Sequence, residues 1–374
     1  MFPSRSVFSS LSRDEIRSIR NVSALDFLRY MALFLTFPVV VLYARQFTSS
    51  DLLVSLAYAA QPILLLVSQY PMGVVSDRMG RRPSVAIALV PFALGNILSF
   101  HPFSIYGLIA FRALSGVGSV SVSTNALLQE SVRPEFRSRA TAIAGIAVGA
   151  ALLLGIALGP VLASVIGLSY VFLVSGVLAL LSLALVPGLS EVRGERLHGP
   201  ARPSPLYIPS IASGILVSAF FYFTQSLGIG LNSYYLYLLI PAVIGGAIAV
   251  GLSGLADIKG RRPFALTASA VLLISLPVHI ILPSRPFIYV SNTLFLLGYS
   301  LFEALFVPML LASVRGEYGS VIGLSNTFMY IGQALGSLAG PILGVGNTVV
   351  LASASSLAML ATFPFFRDQR REAR

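Results

Sequence analysis

Long apolar runs alternate with short polar segments along the whole chain. Each run is close to the roughly 20 residues that an α-helix needs to cross a bilayer. In the first half the runs lie at about 24 to 47, 52 to 75, 83 to 101, 104 to 128, 139 to 164 and 168 to 188. In the second half they lie at about 207 to 228, 233 to 255, 263 to 282, 286 to 313, 319 to 343 and 346 to 366. The pattern predicts an all-α membrane protein with twelve transmembrane helices.

The apolar character is interrupted near the midpoint, between Pro187 and Pro205, by a charged and proline-containing stretch. This interruption predicts a linker between two six-helix halves. The expected organisation is a cytoplasmic N-terminal segment at 1–23, an N-terminal bundle at 24–188, a cytoplasmic linker at 189–206, a C-terminal bundle at 207–366 and a basic cytoplasmic tail at 367–374.

Composition and charge agree with a membrane location. Apolar residues make up 56% of the chain and charged residues only 10%, with a mean hydropathy of +0.86. If the N-terminus is inside, the outer loops hold only Arg45 and Arg285, and the remaining loop arginines lie on the inner side. This asymmetry follows the positive-inside rule and predicts that both termini are cytoplasmic. The net charge of +11 therefore indicates topology, and we expect no nucleic-acid partner.

One polar hairpin occurs twice. The segment Gly73–Pro83 returns as Ser253–Pro263, and the shift in numbering from aspartate to aspartate is 257 − 77 = 180. Both copies lie on the same side of the membrane only if an even number of crossings separates them. The two halves are therefore predicted to be parallel repeats, related by an axis along the membrane normal.

The first copy reads GxxxDRxGRRP, which resembles the loop signature between the second and third helices of the major facilitator superfamily. The second copy resembles the matching loop of the C-terminal half, with departures at Ser253 and Ile258. The resemblance implies that the aspartate and arginines latch the two halves on the cytoplasmic side in the outward-facing state. The residues assigned to conformational control on this basis are Gly73, Asp77, Arg78, Gly80, Arg81, Arg82, Asp257, Gly260, Arg261 and Arg262.

A glycine motif is also repeated, as GxxxGP in the fifth and eleventh predicted helices. Small residues four apart allow close helix packing, and the following proline removes a backbone donor. Packing is the plain interpretation. The pattern also resembles the motif that accompanies exchangers in the same superfamily, which favours an antiporter. Its residues are Gly155, Gly159 and Pro160 in the first half, and Gly336, Gly340 and Pro341 in the second.

Charged residues within the apolar runs are candidates for proton coupling. Arg112 begins a segment that resembles the family's RxxxGxG pattern, about 12 Å below the outer surface at about 1.5 Å per residue. Glu303 lies about 13 Å from the inner surface by the same rise. A charge at such depth is costly unless it is paired, protonated or facing a cavity. Structural alternatives stay open: Arg112 could brace carbonyls or a neighbouring acid, and Glu303 could be a neutral acid bonded to Tyr299.

Near the start of the first predicted helix, the spacing Ser23-x-x-Asp26 is that of a capping box, which favours a structural role for Asp26. Arg29, one turn later, could pair with Asp26 or serve as a partner for Glu303. We therefore assign Glu303, Arg112 and Arg29 to proton coupling.

The superfamily resemblance implies a central cavity lined by the first, fourth, seventh and tenth helices. An apolar cavity with few polar groups suits a hydrophobic or amphipathic small molecule better than a sugar or a polyanion. On this basis the candidate substrate-binding residues are Tyr30, Thr36, Tyr222, Gln225, Asn292 and Tyr299.

Enzyme chemistry has little support in the sequence. Cysteine is absent, the three histidines are far apart along the chain, and no GxxxxGKS/T loop is present. We expect no catalytic residues, no metal site and no cofactor.

The sequence thus predicts a monomeric secondary transporter in the cell membrane of a prokaryote, surrounded by lipid and exporting a small hydrophobic or amphipathic molecule in exchange for protons. Two alternatives remain. One is a symporter or facilitator that imports a metabolite, and the other is a membrane sensor or assembly factor that does not transport.

Overall fold

The structure is a computed structural model that describes residues 11–190, 201–226, 231–281, 284–314 and 317–367, apart from some side chains within helices. Every regular element in these ranges is helical. The chain divides into two compact units, Met1–Glu195 and Arg196–Arg374.

Eight α-helices form the described part of the first unit. They are α1 (Arg13–Thr36), α2 (Val40–Ala44), α3 (Asp51–Met79), α4 (Arg81–Leu98), α5 (Ile105–Gly116), α6 (Val120–Ser131), α7 (Arg137–Ile166) and α8 (Leu168–Leu185). Since α1 with α2 covers the first predicted crossing, and α5 with α6 covers the fourth, the eight helices account for six crossings.

Five helices form the described part of the second unit. They are α9 (Ile208–Ser226), α10 (Leu231–Lys259), α11 (Arg261–Ile281), α12 (Arg285–Ser313) and α13 (Tyr318–Thr362). The first four correspond to single predicted crossings, and α13 covers the last two.

Helix α13 cannot be straight. Its 45 residues would extend about 67 Å at about 1.5 Å per residue. Yet the backbone N–H of Arg367, just beyond its end, donates to the Ser313 hydroxyl at 2.9 Å. Ser313 precedes Tyr318 by only five residues, which span at most about 18 Å. Both ends of α13 therefore lie close together, so the segment reverses direction and supplies two crossings.

The start of α1 differs from the prediction. The helix begins at Arg13, and Ser12 is its N-cap: the Ser12 hydroxyl accepts from the backbone N–H of Glu15, and the Glu15 carboxylate accepts from that of Ser12. The capping box predicted at Ser23 and Asp26 is therefore wrong, because both residues lie in the middle of α1. The S-x-x-E spacing of the true cap was present in the sequence.

The fourth predicted crossing is broken between α5 and α6. Gly118 in the break has φ +93°, a conformation that favours glycine. A Cβ on Gly118 would lie 2.9 Å from Ala88 Cα of α4. The second glycine of the RxxxGxG pattern is therefore required both by backbone conformation and by close packing.

Glycines also set two of the tightest helix crossings. A Cβ on Gly155 of α7 would lie 2.7 Å from Phe34 Cβ of α1, and a Cβ on Gly159 would collide with the Leu35 carbonyl oxygen. In the second unit a Cβ on Gly336 of α13 would lie 2.8 Å from Ser218 Cβ of α9. The surroundings of Gly340 and the side chain of Pro341 fall outside the described part of the chain.

Seven helical segments in the described residues are long and apolar enough to cross a membrane by length and composition alone, Ile105–Ser131 and Gly346–Phe365 among them. Helix α1 does not qualify, which fits the charged residues that it carries from Arg13 to Arg29.

Candidate functional site

The first hairpin is a tight turn between α3 and α4. Gly80 caps both helices with φ 96° and ψ 161°, which favours glycine. Asp77 lies in the last turn of α3, and Arg81 is the first residue of α4. Asp77 and Arg81 are therefore held face to face across the turn.

Arg81 joins two carboxylates. Its Nη1 donates to Asp77 Oδ1 at 2.6 Å and to the Ser76 hydroxyl at 3.0 Å. Its Nε donates to Glu130 Oε2 at 2.9 Å, and its Nη2 donates to Glu130 Oε1. Burial lowers the pKa of the Arg81 guanidinium, but Glu130 and Asp77 outweigh burial and raise it above its usual range. The cluster fixes the α3–α4 hairpin to the C-terminal end of α6.

Sequence reasoning missed Glu130. It is the single acidic residue of α6, three residues before Arg133 at the inner end of the predicted fourth crossing. Its position at a helix end was visible, but the bidentate bond with Arg81 depends on how α4 packs against α6.

The second hairpin repeats the first in part. Gly260 has φ 102°. Arg261 Nε donates to Asp257 Oδ1 at 3.0 Å, and Nη2 lies 2.9 Å from the same oxygen. By the shift that relates the two hairpins, the counterpart of Glu130 is Leu310, which is buried and apolar. The three-member charge cluster of the first hairpin therefore has no sequence counterpart in the second.

The N-terminal part of α1 is attached to the loop after α6. The buried Glu15 carboxylate accepts from Arg133 Nε at 2.9 Å, from Arg133 Nη2 at 3.0 Å and from the Arg133 backbone N–H at 2.9 Å. Burial raises the pKa of Glu15, but the bonds from Arg133 and from the Ser12 backbone outweigh burial and lower it to about 2. This ion pair holds the extension of α1 in place.

Arg112 is 1% exposed, in α5. Its Nη1 donates to the Thr36 hydroxyl at 3.3 Å, and its guanidinium lies 5.9 Å from the centre of the Phe172 ring. The structure thus brings together two predicted site residues, Arg112 and Thr36. Among the described residues Arg112 forms no ion pair, and its Nε has no hydrogen-bond partner.

Arg29 pairs with Asp26 within α1. Arg29 Nε lies 3.5 Å from Asp26 Oδ1, and the side chains of Arg29 and Asp26 are only 7% and 5% exposed. The guanidinium also lies 3.7 Å above the ring of Tyr30. Thr124 of α6 donates to Asp26 Oδ1 at 3.3 Å. Glu303 belongs to the other unit, so its pairing with Arg29 stays a prediction.

Glu303 is partly exposed, on α12. Its carboxyl is hydrogen-bonded to the side chain of Tyr299, one turn earlier. The Tyr299 ring is nearly parallel to Phe295, at 5.9 Å between centres, and Phe295 stacks on Phe220 of α9 at 4.1 Å. The carboxyl therefore lies at the end of a row of aromatic rings.

Of the remaining residues predicted to bind substrate, the structure describes the contacts of Asn292. Asn292 is fully buried, and its amide nitrogen donates to the Tyr237 carbonyl oxygen at 2.8 Å, which joins α12 to α10. The side chains of Tyr222 and Gln225 lie outside the described part of the chain. No group of three or more histidine, aspartate or glutamate side chains in the described residues could hold a metal ion.

Comparison with known proteins decides the family. The model of the Major Facilitator Superfamily matches residues 22–337. The chain belongs to this superfamily. Members of the Major Facilitator Superfamily are membrane transporters of small molecules and are not enzymes, so the predicted family, fold class and non-enzymatic character are confirmed.

Two bacterial transport proteins are similar in sequence to this chain. The inner membrane transport protein YajR of Escherichia coli is 28% identical over 362 residues, which cover 90% of this chain and 80% of YajR. The uncharacterized MFS-type transporter YceJ of Bacillus subtilis is 25% identical over 333 residues, or 82% of this chain and 84% of YceJ.

Two solved structures show the same fold. The human organic anion transporter MFSD10 (TETRAN) matches with a TM-score of 0.76 at 16% identity, over 95% of this chain and 100% of MFSD10. A variant of the Escherichia coli fucose:proton symporter FucP matches with a TM-score of 0.72 at 14% identity, over 94% of this chain and 99% of FucP. At such identity these likenesses concern the fold alone.

Proposed function

We propose that this superfamily member is a proton-coupled secondary transporter that exports a small hydrophobic or amphipathic compound by alternating access. Glu303 carries the proposal. It is an ionisable group well inside an apolar helix, where a permanent charge is costly. A carboxyl that is neutral in one state and charged in the other can couple proton binding to a change of conformation.

The surroundings of Glu303 support an apolar substrate. Tyr299, Phe295 and Phe220 form a row of rings beside the carboxyl, and aromatic faces suit flat, apolar molecules. The hairpin cluster of Asp77, Arg81 and Glu130 has the role of a conformational latch: a set of short, buried ionic bonds that stabilises one of the two transport states.

Proton-coupled import is the second candidate. The name of FucP states a fucose:proton symporter, so the fold is compatible with a proton entering together with the substrate. The repeated glycine motif of α7 favours exchange in the present chain. The sign of the pH change inside vesicles on adding a transported compound separates the two directions of coupling.

Our first prediction concerns Glu303→Gln in proteoliposomes with an imposed pH gradient. The variant should lose gradient-driven movement of a fluorescent amphipathic dye such as Hoechst 33342, because the amide binds no proton. It should retain exchange of labelled against unlabelled dye, because the amide has nearly the same size and shape as the carboxyl group. Glu135→Gln is the matched control, since this acid is exposed in the α6–α7 loop. Full gradient-driven movement in Glu303→Gln would remove Glu303 from the mechanism.

A further inference from the structure

The part of α1 that precedes its apolar run, residues 13–23, has one buried face and one exposed face. The exposed face carries Arg13, Arg17 and Arg20. At about 100° per residue, these positions fall within an arc of about 60° around the helix axis. Three guanidinium groups therefore project from the same side of α1, and we call this side the arginine face.

The opposite side of the same segment is attached to the rest of the first unit. The buried Glu15 carboxylate is bonded to the loop after α6. The Ser18 hydroxyl lies 2.6 Å from the Ser131 hydroxyl at the end of α6. The Asn21 amide nitrogen donates to the Gly188 carbonyl oxygen, beyond the end of α8, at 2.7 Å. Because the segment is held at three places along its back, the arginine face has one fixed orientation, away from the unit.

Neighbouring acids do not neutralise the arginine face. In the part of the chain that the structure describes, Arg13 and Arg17 form no ion pair. Arg20 Nε donates to the Asn21 side-chain oxygen at 3.4 Å, and this partner is neutral. Asp14 is exposed, but it lies about 100° around the helix from Arg13. The guanidinium groups of this face can therefore bind an anion from outside the unit.

The ion pair between Glu15 and Arg133 brings a second group of arginines beside the first. The Arg133 guanidinium lies 4.8 Å from the centre of the Phe136 ring, and that of Arg139 lies 5.7 Å from the centre of the same ring. Arg137, between them in the chain, donates from Nε to a backbone carbonyl oxygen at 3.3 Å. The two groups of arginines are far apart along the chain, so their proximity is a product of the fold.

The combined surface keeps a net positive charge and has a spacing that suits phosphate. Three acids oppose its six guanidinium groups: Asp14, Glu15 and Glu135. Arginine binds phosphate through two parallel hydrogen bonds. Along the axis Arg13 and Arg17 are about 6 Å apart, and Arg17 and Arg20 about 4.5 Å apart, at about 1.5 Å per residue. Two neighbouring arginines of this face can therefore bind one phosphate between them.

The position of the arginine face along α1 indicates the source of the phosphate. The helix is apolar from Ala24 onward, so Arg20 lies about 6 Å and Arg13 about 17 Å from the start of the apolar run. A headgroup layer is about 5 to 7 Å thick, and the attraction of its anionic lipids extends for about one Debye length, 8 to 10 Å, beyond it. By the predicted orientation this layer belongs to the cytoplasmic leaflet, whose anionic lipids attract basic segments beside a transmembrane helix.

We propose that the arginine face of α1, together with the arginines of the α6–α7 loop, binds the phosphate groups of an anionic phospholipid in the inner leaflet. The acyl chains of this lipid lie in the bilayer, and its headgroup contacts both segments. Binding is noncovalent, and it holds the charged start of α1 at the membrane surface. The site does not involve Glu303, so it can be tested without any assumption about transport.

The test is native mass spectrometry of the full-length protein in detergent micelles. The protein is titrated with dioleoyl phosphatidylglycerol and, separately, with the phosphatidylcholine of the same acyl chains. The wild-type protein should bind the first phosphatidylglycerol more tightly, because only this lipid carries a net negative charge. Arg17→Gln should weaken that binding about fivefold, and the triple variant Arg13→Gln, Arg17→Gln and Arg20→Gln should weaken it by at least about tenfold.

Two further variants separate this site from general charge attraction and from misfolding. The triple variant Arg45→Gln, Arg202→Gln and Arg367→Gln removes three exposed arginines elsewhere. It lowers the net charge equally and should keep the wild-type affinity. The triple lysine variant of the arginine face keeps the charges, and it should bind phosphatidylglycerol within about fivefold of wild type. Circular dichroism and thermal unfolding in the same micelles report whether each variant is folded.

Several results would contradict the proposal. An equal loss of affinity in the two triple glutamine variants would assign the attraction to net charge alone, and equal binding of the two lipids by the wild-type protein would exclude a phosphate site. Displacement of phosphatidylglycerol by equimolar inorganic phosphate, or by a short single-stranded RNA, would assign the surface to a soluble anion. Should the triple glutamine variant of the arginine face unfold, Arg17→Gln alone decides, because an exposed helix position tolerates glutamine.

Discussion

At the scale of single residues, charged side chains near the helix ends of the first unit form specific pairs. Glu15 is buried and Arg133 is half exposed, with side-chain exposures of 7% and 50%. Charged pairs with one exposed member are partly screened by solvent. The backbone N–H groups of Arg133 and Ser12 add hydrogen bonds to the Glu15 carboxylate that do not depend on the guanidinium. The stability of the protein should therefore depend on the charge of Glu15.

For this pair we predict a difference in stability between the wild-type protein and Glu15→Gln that depends on pH. The pKa of Glu15 is lowered from 4.5 to about 2, so the folded state binds the proton less tightly than the unfolded state. The stabilisation is present above about pH 4.5 and disappears as the pH falls toward about 2. Glu15→Gln should therefore melt several degrees below wild type at neutral pH, and the gap should narrow as the pH falls through this window.

Asp14→Asn on the same helix is the control, because Asp14 is exposed and should show no such narrowing. A gap that stays constant from neutral to acidic pH would mean that the ionised form of Glu15 contributes nothing to the fold.

The same residues mark the limit of sequence reasoning. Both Ser12-x-x-Glu15 and Ser23-x-x-Asp26 have the spacing of a capping box, and local spacing cannot decide which of them ends a helix. The choice depends on whether residues 13–23 find a surface to pack on. Ile19 and Val22 do so in the core beside Leu127 and Val132. Hydrophobicity predicted where the chain enters the lipid, whereas the helix itself already starts at Arg13.

At the scale of elements, two pairs of glycines four residues apart lie at close helix crossings. Gly155 and Gly159 bring α7 against α1. In the second unit Gly332 and Gly336 of α13 approach α9, and a Cβ on Gly332 would collide with the Ile211 carbonyl oxygen. The GxxxG spacing was readable in the sequence, but the partner helix was not, because the pattern does not encode which neighbour it faces.

This arrangement predicts that substitutions of different glycines in α7 have very different effects on stability. Gly159→Leu should destabilise the protein by about 1–3 kcal/mol, because a larger side chain forces α7 away from the backbone of α1. Gly149→Leu is the matched control on the same helix, since a Cβ there meets nothing within 4 Å. Thermal unfolding of the purified variants measures the difference.

Equal melting temperatures for the two leucine variants would show that the α1–α7 crossing is not tightly packed. The control also removes a glycine from a helix, so any gain in helix propensity applies to both variants and cancels in the comparison.

At the scale of the whole molecule, each unit contains a copy of the hairpin, a glycine-mediated crossing and helices for six crossings. The repeat was predicted from the sequence because its polar residues recur at a fixed shift. The differences between the copies required the structure: Glu130 joins the first hairpin to α6, whereas Leu310 stands at the corresponding position of the second unit. The charged contacts of the two hairpins therefore differ, although the two units share the same arrangement of helices.

Six crossings in each unit require that both hairpins and both termini lie on the same side of the membrane. The arginine distribution predicts that this side is the cytoplasm. Since the chain contains no cysteine, an introduced cysteine is the one thiol of the purified protein that a label can reach. Ser49→Cys and Phe103→Cys lie in exposed segments of the expected outer loops, and Met79→Cys lies in the exposed first hairpin.

A membrane-impermeant maleimide added to intact cells should label the Ser49 and Phe103 variants and spare the Met79 variant. After permeabilisation all three should react, which shows that a lack of labelling reflects sidedness and not burial. Asp14→Cys near the N-terminus and Arg367→Cys near the C-terminus should behave like Met79→Cys. If Asp14→Cys and Arg367→Cys reacted from opposite sides, the number of crossings would be odd, and two equivalent six-helix halves could not be formed.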